Sequence, residues 1–149
     1  MVALAGIPSP AADVSAAVVV ADEYGAVLAY RIAFESSGTI ENYAVVGVSS
    51  LVHRFGSPND EALHGHPLAD AGLRHYTPAE VVNSPWVAEL ERQNRVHPRH
   101  SSDHYESLRH IAFPFHDSTF ESVCSHFHCA TFDGAPEDLL PHMAALLKQ

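Results

Sequence analysis

Apolar, β-rich runs lie toward both ends of the chain, and a polar tract punctuated by proline and glycine separates them. Near the N-terminus, "SAAVVVA" and "AVLAYRIAF" flank Asp22-Glu23-Tyr24-Gly25. This predicts a hairpin from Val14 to Glu35, with Gly25 able to take the left-handed conformation that ends such a turn. "SSGTIEN" predicts a second turn, and "YAVVGVSSLVHRF" (Tyr43 to Phe55) a third strand, most simply paired antiparallel. The pattern then fails over residues 56–77, where Pro58, Gly65, Pro67 and Gly72 recur. That tract predicts a long ordered connection with one or two helical turns, of the kind used as lids or binding segments.

Helical signals follow. Thr77-Pro78-Ala79-Glu80 combines a capping residue, a first-turn proline and the glutamate of a capping box. Ser84-Pro85 restarts the pattern, because a residue before proline avoids the helical region. The next helix then turns Trp86, Val87, Leu90 and Val96 toward the core. "HPRHSSDHY" reads as a polar loop. Leu108 to Phe132 predicts a second hairpin, and "APEDLLPHMAALLK" a closing helix striped with Leu139, Met143, Leu146 and Leu147. Pro141 marks either a kink in that helix or its true start.

These elements predict an α+β fold built on a single antiparallel sheet of about five strands. Their order is hairpin, strand, long loop, two short helices, hairpin and C-terminal helix. Residues 1–12 are expected to be a flexible N-terminal arm and 13–149 one domain, a size suited to a single core.

The faces of the second hairpin depend on its loop. A four-residue loop sets His116 opposite Glu121, whereas an odd loop of three or five residues sets His110 opposite His126. The odd loop gathers Ile111, Phe113, Phe115, Val123, Phe127 and Cys129 on one side and His110, His116, Cys124, His126 and His128 on the other. Because bare imidazoles among phenylalanines are costly, alternation favours the odd loop. A face of imidazoles with a thiol and no lysine suits a cavity wall better than a solvated surface.

Composition narrows the function. The formal charge of −10 disfavours nucleic acid and anionic membranes as partners. The one lysine is Lys148, so Schiff-base and P-loop chemistry lack their residue. No dinucleotide fingerprint occurs. The N-terminus has no basic region before its apolar residues, and Cys124 and Cys129, five apart on one strand, are expected on opposite faces and unbridged. These features predict a reducing cytoplasm. Association into a homo-oligomer is compatible with all of them.

All twelve histidines lie between His53 and His142. His110, His126 and His128, with Cys124 as a fourth ligand, form a candidate site for a divalent transition metal such as Zn, Fe, Cu or Ni. His64 and His66 of "LHGHPL", with Arg54, are candidate substrate-binding groups on a segment able to fold over the histidine face. His116 with Asp117 or Glu121 forms a candidate acid–base pair at the hairpin tip. The function expected is that of a small enzyme acting on a small organic molecule by hydrolysis, elimination or isomerisation, with or without a bound metal. The alternatives are a non-catalytic metal- or ligand-binding module and an interaction subunit with a pH-sensitive histidine-rich surface.

Overall fold

The computed structural model describes residues 1–32 and 42–148. Among these residues, seven strands form one sheet: β1 (Val2–Ala3), β2 (Val18–Ala21), β3 (Ala26–Arg31), β4 (Asn42–Gly56), β5 (Ala79–Glu80), β6 (Arg109–Pro114) and β7 (Thr119–Asp133). Every neighbouring pair is antiparallel, in the order β1-β5-β6-β7-β4-β3-β2. The helices are α1 (Pro85–Asn94), α2 (Ser102–Glu106) and α3 (Pro136–Leu147). The α+β class and antiparallel sheet agree with the sequence pattern. The count exceeds about five because β1 and β5 have two residues each, too short for any alternation to register.

Local chemistry explains the first hairpin. Asp22 Oδ1 accepts from the amides of Tyr24 (2.8 Å) and Gly25 (3.1 Å), and β2 and β3 pair from Ala21–Ala26 outward. The expected turn at 36–42 lies almost wholly outside the described residues. The expected helix start at Thr77 is overturned. Ala79 and Glu80 pair with Ala112 and Ile111 of β6, so ladder bonds replace the capping box, and Thr77 Oγ1 instead donates to the carbonyl of His75. The restart at Ser84-Pro85 does begin α1. Part of the polar loop after it winds into α2. In α3, Pro141 lies inside the helix, which starts five residues earlier at Pro136.

The second hairpin departs from the odd-loop expectation. Phe113 pairs with Phe120 and Pro114 with Thr119, and the amide of Phe115 donates to the carbonyl of Ser118 (2.8 Å). Only His116 and Asp117 remain at the tip, an even loop. His110 therefore faces Val123, not His126, and Glu121 faces Ala112, not His116. An irregularity in the β4–β7 ladder then resets the alternation. Val48 pairs with Phe127 but Ser50 with Cys124, so β7 holds one extra residue there, and β4 restores the register before Val52–Val123.

Because of that bulge, Phe127 and Cys129 return to the face of Ile111, Phe113, Phe115, Phe120 and Cys124. Val123 and Cys124, on the tip side of the bulge, take the sides opposite to those expected because the loop is even. The two cysteines share a face and both are free. The imidazoles of His110, His126 and His128 do lie on the other side of the sheet. Simple alternation reached their shared face by the wrong route, because two parity errors cancelled beyond the bulge.

The front face carries the larger core, built on Leu28, Tyr30, Val46, Phe113, Phe115 and Phe120. The N-terminal arm is tied onto it. β1 pairs with β5, Leu4 and Ile7 pack on the cluster, and Tyr30 Oη donates to the Pro8 carbonyl (2.7 Å). The back face has two covers. α3 sets Leu139 and Met143 on Val27, Ala29, Tyr43 and Val45. The 57–78 connection sets Leu63, Leu68 and Leu73 on Val81 and Ala112. Among the described residues, no helix is long and apolar enough to cross a membrane.

Candidate functional site

Beneath the connection, the back face holds a polar centre. Glu121 on β7 is 5% exposed, although its neighbours on that strand are apolar or small. Its carboxylate lies beside groups from three other parts of the chain. His110 on β6 places Nε2 2.9 Å from Oε2, and His66 of the connection places Nε2 3.3 Å from Oε1. Arg54, opposite Glu121 on β4, places Nε 3.6 Å from Oε1.

The surrounding hydrogen bonds assign the protons on both imidazoles. His66 Nδ1 accepts from the amide of Leu68 (3.0 Å), so in the neutral ring the hydrogen lies on Nε2, the nitrogen 3.3 Å from Glu121 Oε1. Ser84 Oγ caps α1 by accepting from the amides of Trp86 and Val87, each at 3.2 Å. Its own hydroxyl hydrogen is then free to donate to His110 Nδ1, 2.7 Å away. The hydrogen of neutral His110 therefore lies on Nε2 and points at Glu121. One carboxylate thus accepts from the His110 imidazole and has the His66 imidazole and a guanidinium close beside it.

Burial of Glu121 pushes its pKa upward. The His110 hydrogen bond and the charges of Arg54, His110 and His66 together outweigh it, so the carboxyl sits below its ordinary value. Trp86 closes one side: its ring meets His110 edge-on at 5.2 Å, and the Arg54 guanidinium carbon lies 3.8 Å from its ring centre. Two cavities adjoin this centre. One, of about 180 Å³, is lined by Arg54, Phe55, Pro58, His66, Thr119 and Glu121. The other, of about 500 Å³, runs beside α1 and reaches Ser84 and His110.

A second cluster stands at the hairpin tip. His116 Nδ1 lies 2.9 Å from Asp60 Oδ2, and Tyr76 Oη donates to the same oxygen. Tyr76 has a positive φ of 53°, and the Asp60 amide donates to the His116 carbonyl (2.9 Å). The Tyr76 hydrogen bond, with smaller help from His116, holds the Asp60 carboxyl below its usual range. Asp60 in turn raises His116 above the ordinary imidazole value and pushes the Tyr76 phenol up to about 12.

Of the expected site residues, Arg54, His66, His110 and Glu121 converge. His116 takes Asp60 as its carboxylate partner. Asp117 is 3.9 Å from its other ring nitrogen and 85% exposed, and Glu121 belongs to the buried centre instead. His64 is exposed and meets the His75 ring edge-on. The four proposed metal ligands are divided. His110 binds Glu121, Cys124 is buried in the front core, and His126 is exposed, with Nε2 2.7 Å from Ser49 Oγ. His128 lies over Gly47, in the space where a side chain on that residue would sit. Among the described residues, no three His, Cys, Asp or Glu side chains are grouped to hold a metal ion.

Ser84, Trp86, Asp60 and Tyr76 were absent from the expected set. Ser84 had a visible signal as a helix cap, but its reach to His110 depends on where α1 packs. Compared with known proteins, the chain matches no family model, no curated protein and no solved structure.

Proposed function

We propose that the chain is a small enzyme that moves a proton on a small organic molecule bound beneath the 57–67 segment, in a reducing cytoplasm. The observation that carries the proposal is the convergence on Glu121 of two histidines and an arginine beside a cavity of about 180 Å³. A cavity of that size favours a compact substrate. Arg54 lines it and is 55% exposed, so it can pair with an anionic group on that substrate.

Glu121, ionised, is the general base. A proton taken from the substrate stays on the Glu121 carboxyl, because the His66 and His110 nitrogens facing it already carry hydrogen, and is returned from there to the product. This suits elimination or isomerisation next to a carboxylate. His126, His128 and Cys124 take no part. The two free thiols are in keeping with the proposed compartment.

The test is a thermal-shift screen with small mono- and dicarboxylic acids, followed by proton NMR of each stabilising compound during incubation. A compound converted by the wild-type chain and not by Glu121→Gln supports the proposal. Compounds that bind and shift His66 resonances without conversion indicate a ligand-binding module instead. Stabilising compounds that leave His66 and Arg54 unperturbed contradict the site.

A further inference from the structure

Ser84, His110 and Glu121 form a hydrogen-bonded line, Oγ to Nδ1 at 2.7 Å and Nε2 to Oε2 at 2.9 Å. All three side chains are under 9% exposed, and the line starts at a second cavity, the groove of about 500 Å³ along α1. We propose that Ser84 is a nucleophile for acyl transfer, with His110 as its base and Glu121 as the carboxylate that holds the imidazole. The proposal shares Glu121 with the proton-transfer reading but uses the opposite cavity and a different chemical group.

Three features of the site support this role. The order hydroxyl, imidazole, carboxylate is the one nucleophilic hydroxyls require, since the carboxylate fixes the tautomer and stabilises the imidazolium. Here Nδ1 faces the serine and Nε2 the glutamate. Next, Asn83 takes a left-handed φ of 54° between β5 and α1, a sharp turn that brings Ser84 to the helix start facing β6. Finally, the amides of Trp86 and Val87 point at Oγ, and α1 is ten residues long, so partial negative charge on Oγ as its proton leaves for His110 is favoured.

The groove indicates the substrate class. Val81, Val82, Val87, Ala88, Leu108 and Tyr105 make its walls, and Glu80, Glu91 and Glu106 stand among them. Apolar walls with acids nearby favour a neutral ester or thioester with an aliphatic acyl chain over an anionic one. In the reaction, Ser84 Oγ bonds to the acyl carbon as its proton passes to His110 Nδ1. The bond to the leaving alcohol or thiol breaks, and His110 returns that proton to the leaving group. Water, deprotonated by the same nitrogen, then attacks the acyl-serine, releases the carboxylic acid and restores the Ser84 hydroxyl.

The experiment uses an alkyl fluorophosphonate, which phosphonylates an activated serine and releases fluoride. The protein is then digested with trypsin, and the peptide covering residues 75–92, whose one serine is Ser84, is sequenced by mass spectrometry. The folded wild-type chain should be labelled at Ser84, and the urea-unfolded chain should not. Glu121→Gln and His110→Gln should slow labelling at least tenfold. Ser84→Asn, which keeps a capping side chain and hence α1, should be unlabelled while retaining the wild-type circular dichroism. No label on folded wild-type Ser84, or equal rates in the His110 and Glu121 variants, overturns the proposal. That failure is separable from failure of the proton-transfer reading, which is scored by conversion of organic acids and not by modification of Ser84.

Discussion

Glu121 Oε2 lies 2.9 Å from His110 Nε2, with the side chains 6% and 1% exposed. An acid and an imidazole have been taken out of water together, and among the described residues every buried side-chain nitrogen and oxygen has a partner. The pair joins β6 to β7 across non-adjacent positions and links both to the connection through His66 and to α1 through Ser84.

Removing the carboxylate leaves the buried His110 N–H without its acceptor and the His66 ring and Arg54 guanidinium without the negative charge they face. Glu121→Ala should therefore lower the free energy of unfolding by roughly 3–5 kcal/mol. Glu121→Gln keeps one acceptor oxygen and should cost less. Urea denaturation of both variants measures this, and a loss below about 1 kcal/mol for the alanine variant would mean that the centre is not formed.

The tip cluster should make stability depend on pH in a defined window. The folded pKa of Asp60 is lowered, so its contribution is present above the unfolded carboxylate value and is lost as pH falls through the folded value. The folded pKa of His116 is raised, so its contribution is present below the unfolded imidazole value and is lost as pH rises through the folded value. The stability gap between wild type and Asp60→Asn should be widest between about pH 4 and 6.5, and should narrow on both sides. A gap that grows steadily up to pH 9 would refute the pairing.

Two glycines, Gly25 packed against β4 and Gly47 within it, should respond differently to alanine. A Cβ on Gly25 would lie 2.5 Å from the carbonyl oxygen of Val48, which is backbone and cannot step aside. Gly25→Ala should cost about 1–3 kcal/mol. At Gly47 the obstacle is the exposed ring of His128, which can swing away, so Gly47→Ala should cost less and should move the His128 resonances. Equal losses of stability would argue against the placement of His128.

Much of this architecture can be read from residue patterns, and the failures share one cause. The first hairpin, the long third strand, the start of α1 and the stripe of α3 follow from local signals that the tertiary structure leaves alone. Thr77-Pro78-Ala79-Glu80 carries equally good local signals, yet β6 offers it a ladder on one side and β1 on the other. Pairing across the sheet outweighs a capping box. For the site, face assignment assumed an unbroken alternation in β7, and one extra residue between Cys124 and Phe127 invalidated that assumption. Arg54, His66, His110 and Glu121 were each visible as chemistry-bearing residues. Their convergence was not, because it depends on the register of β4 against β7 and on where the connection lands.

The thiols should be poor nucleophiles in the folded chain. Burial pushes Cys124 up to about 11 and also raises Cys129. Iodoacetamide at pH 8 should modify Cys124 only after unfolding, as counted by intact mass. Rapid alkylation of Cys124 in the native state would place it outside the front core.

The most direct measurement is a long-range ¹H–¹⁵N NMR spectrum of the histidine rings in wild type and Glu121→Gln. In the neutral rings of His66 and His110 the hydrogen should lie on Nε2, and those two rings should be the ones most perturbed by the substitution. An Nδ1–H tautomer at either ring, or rings indifferent to the loss of the Glu121 charge, would contradict a carboxylate centre held between them.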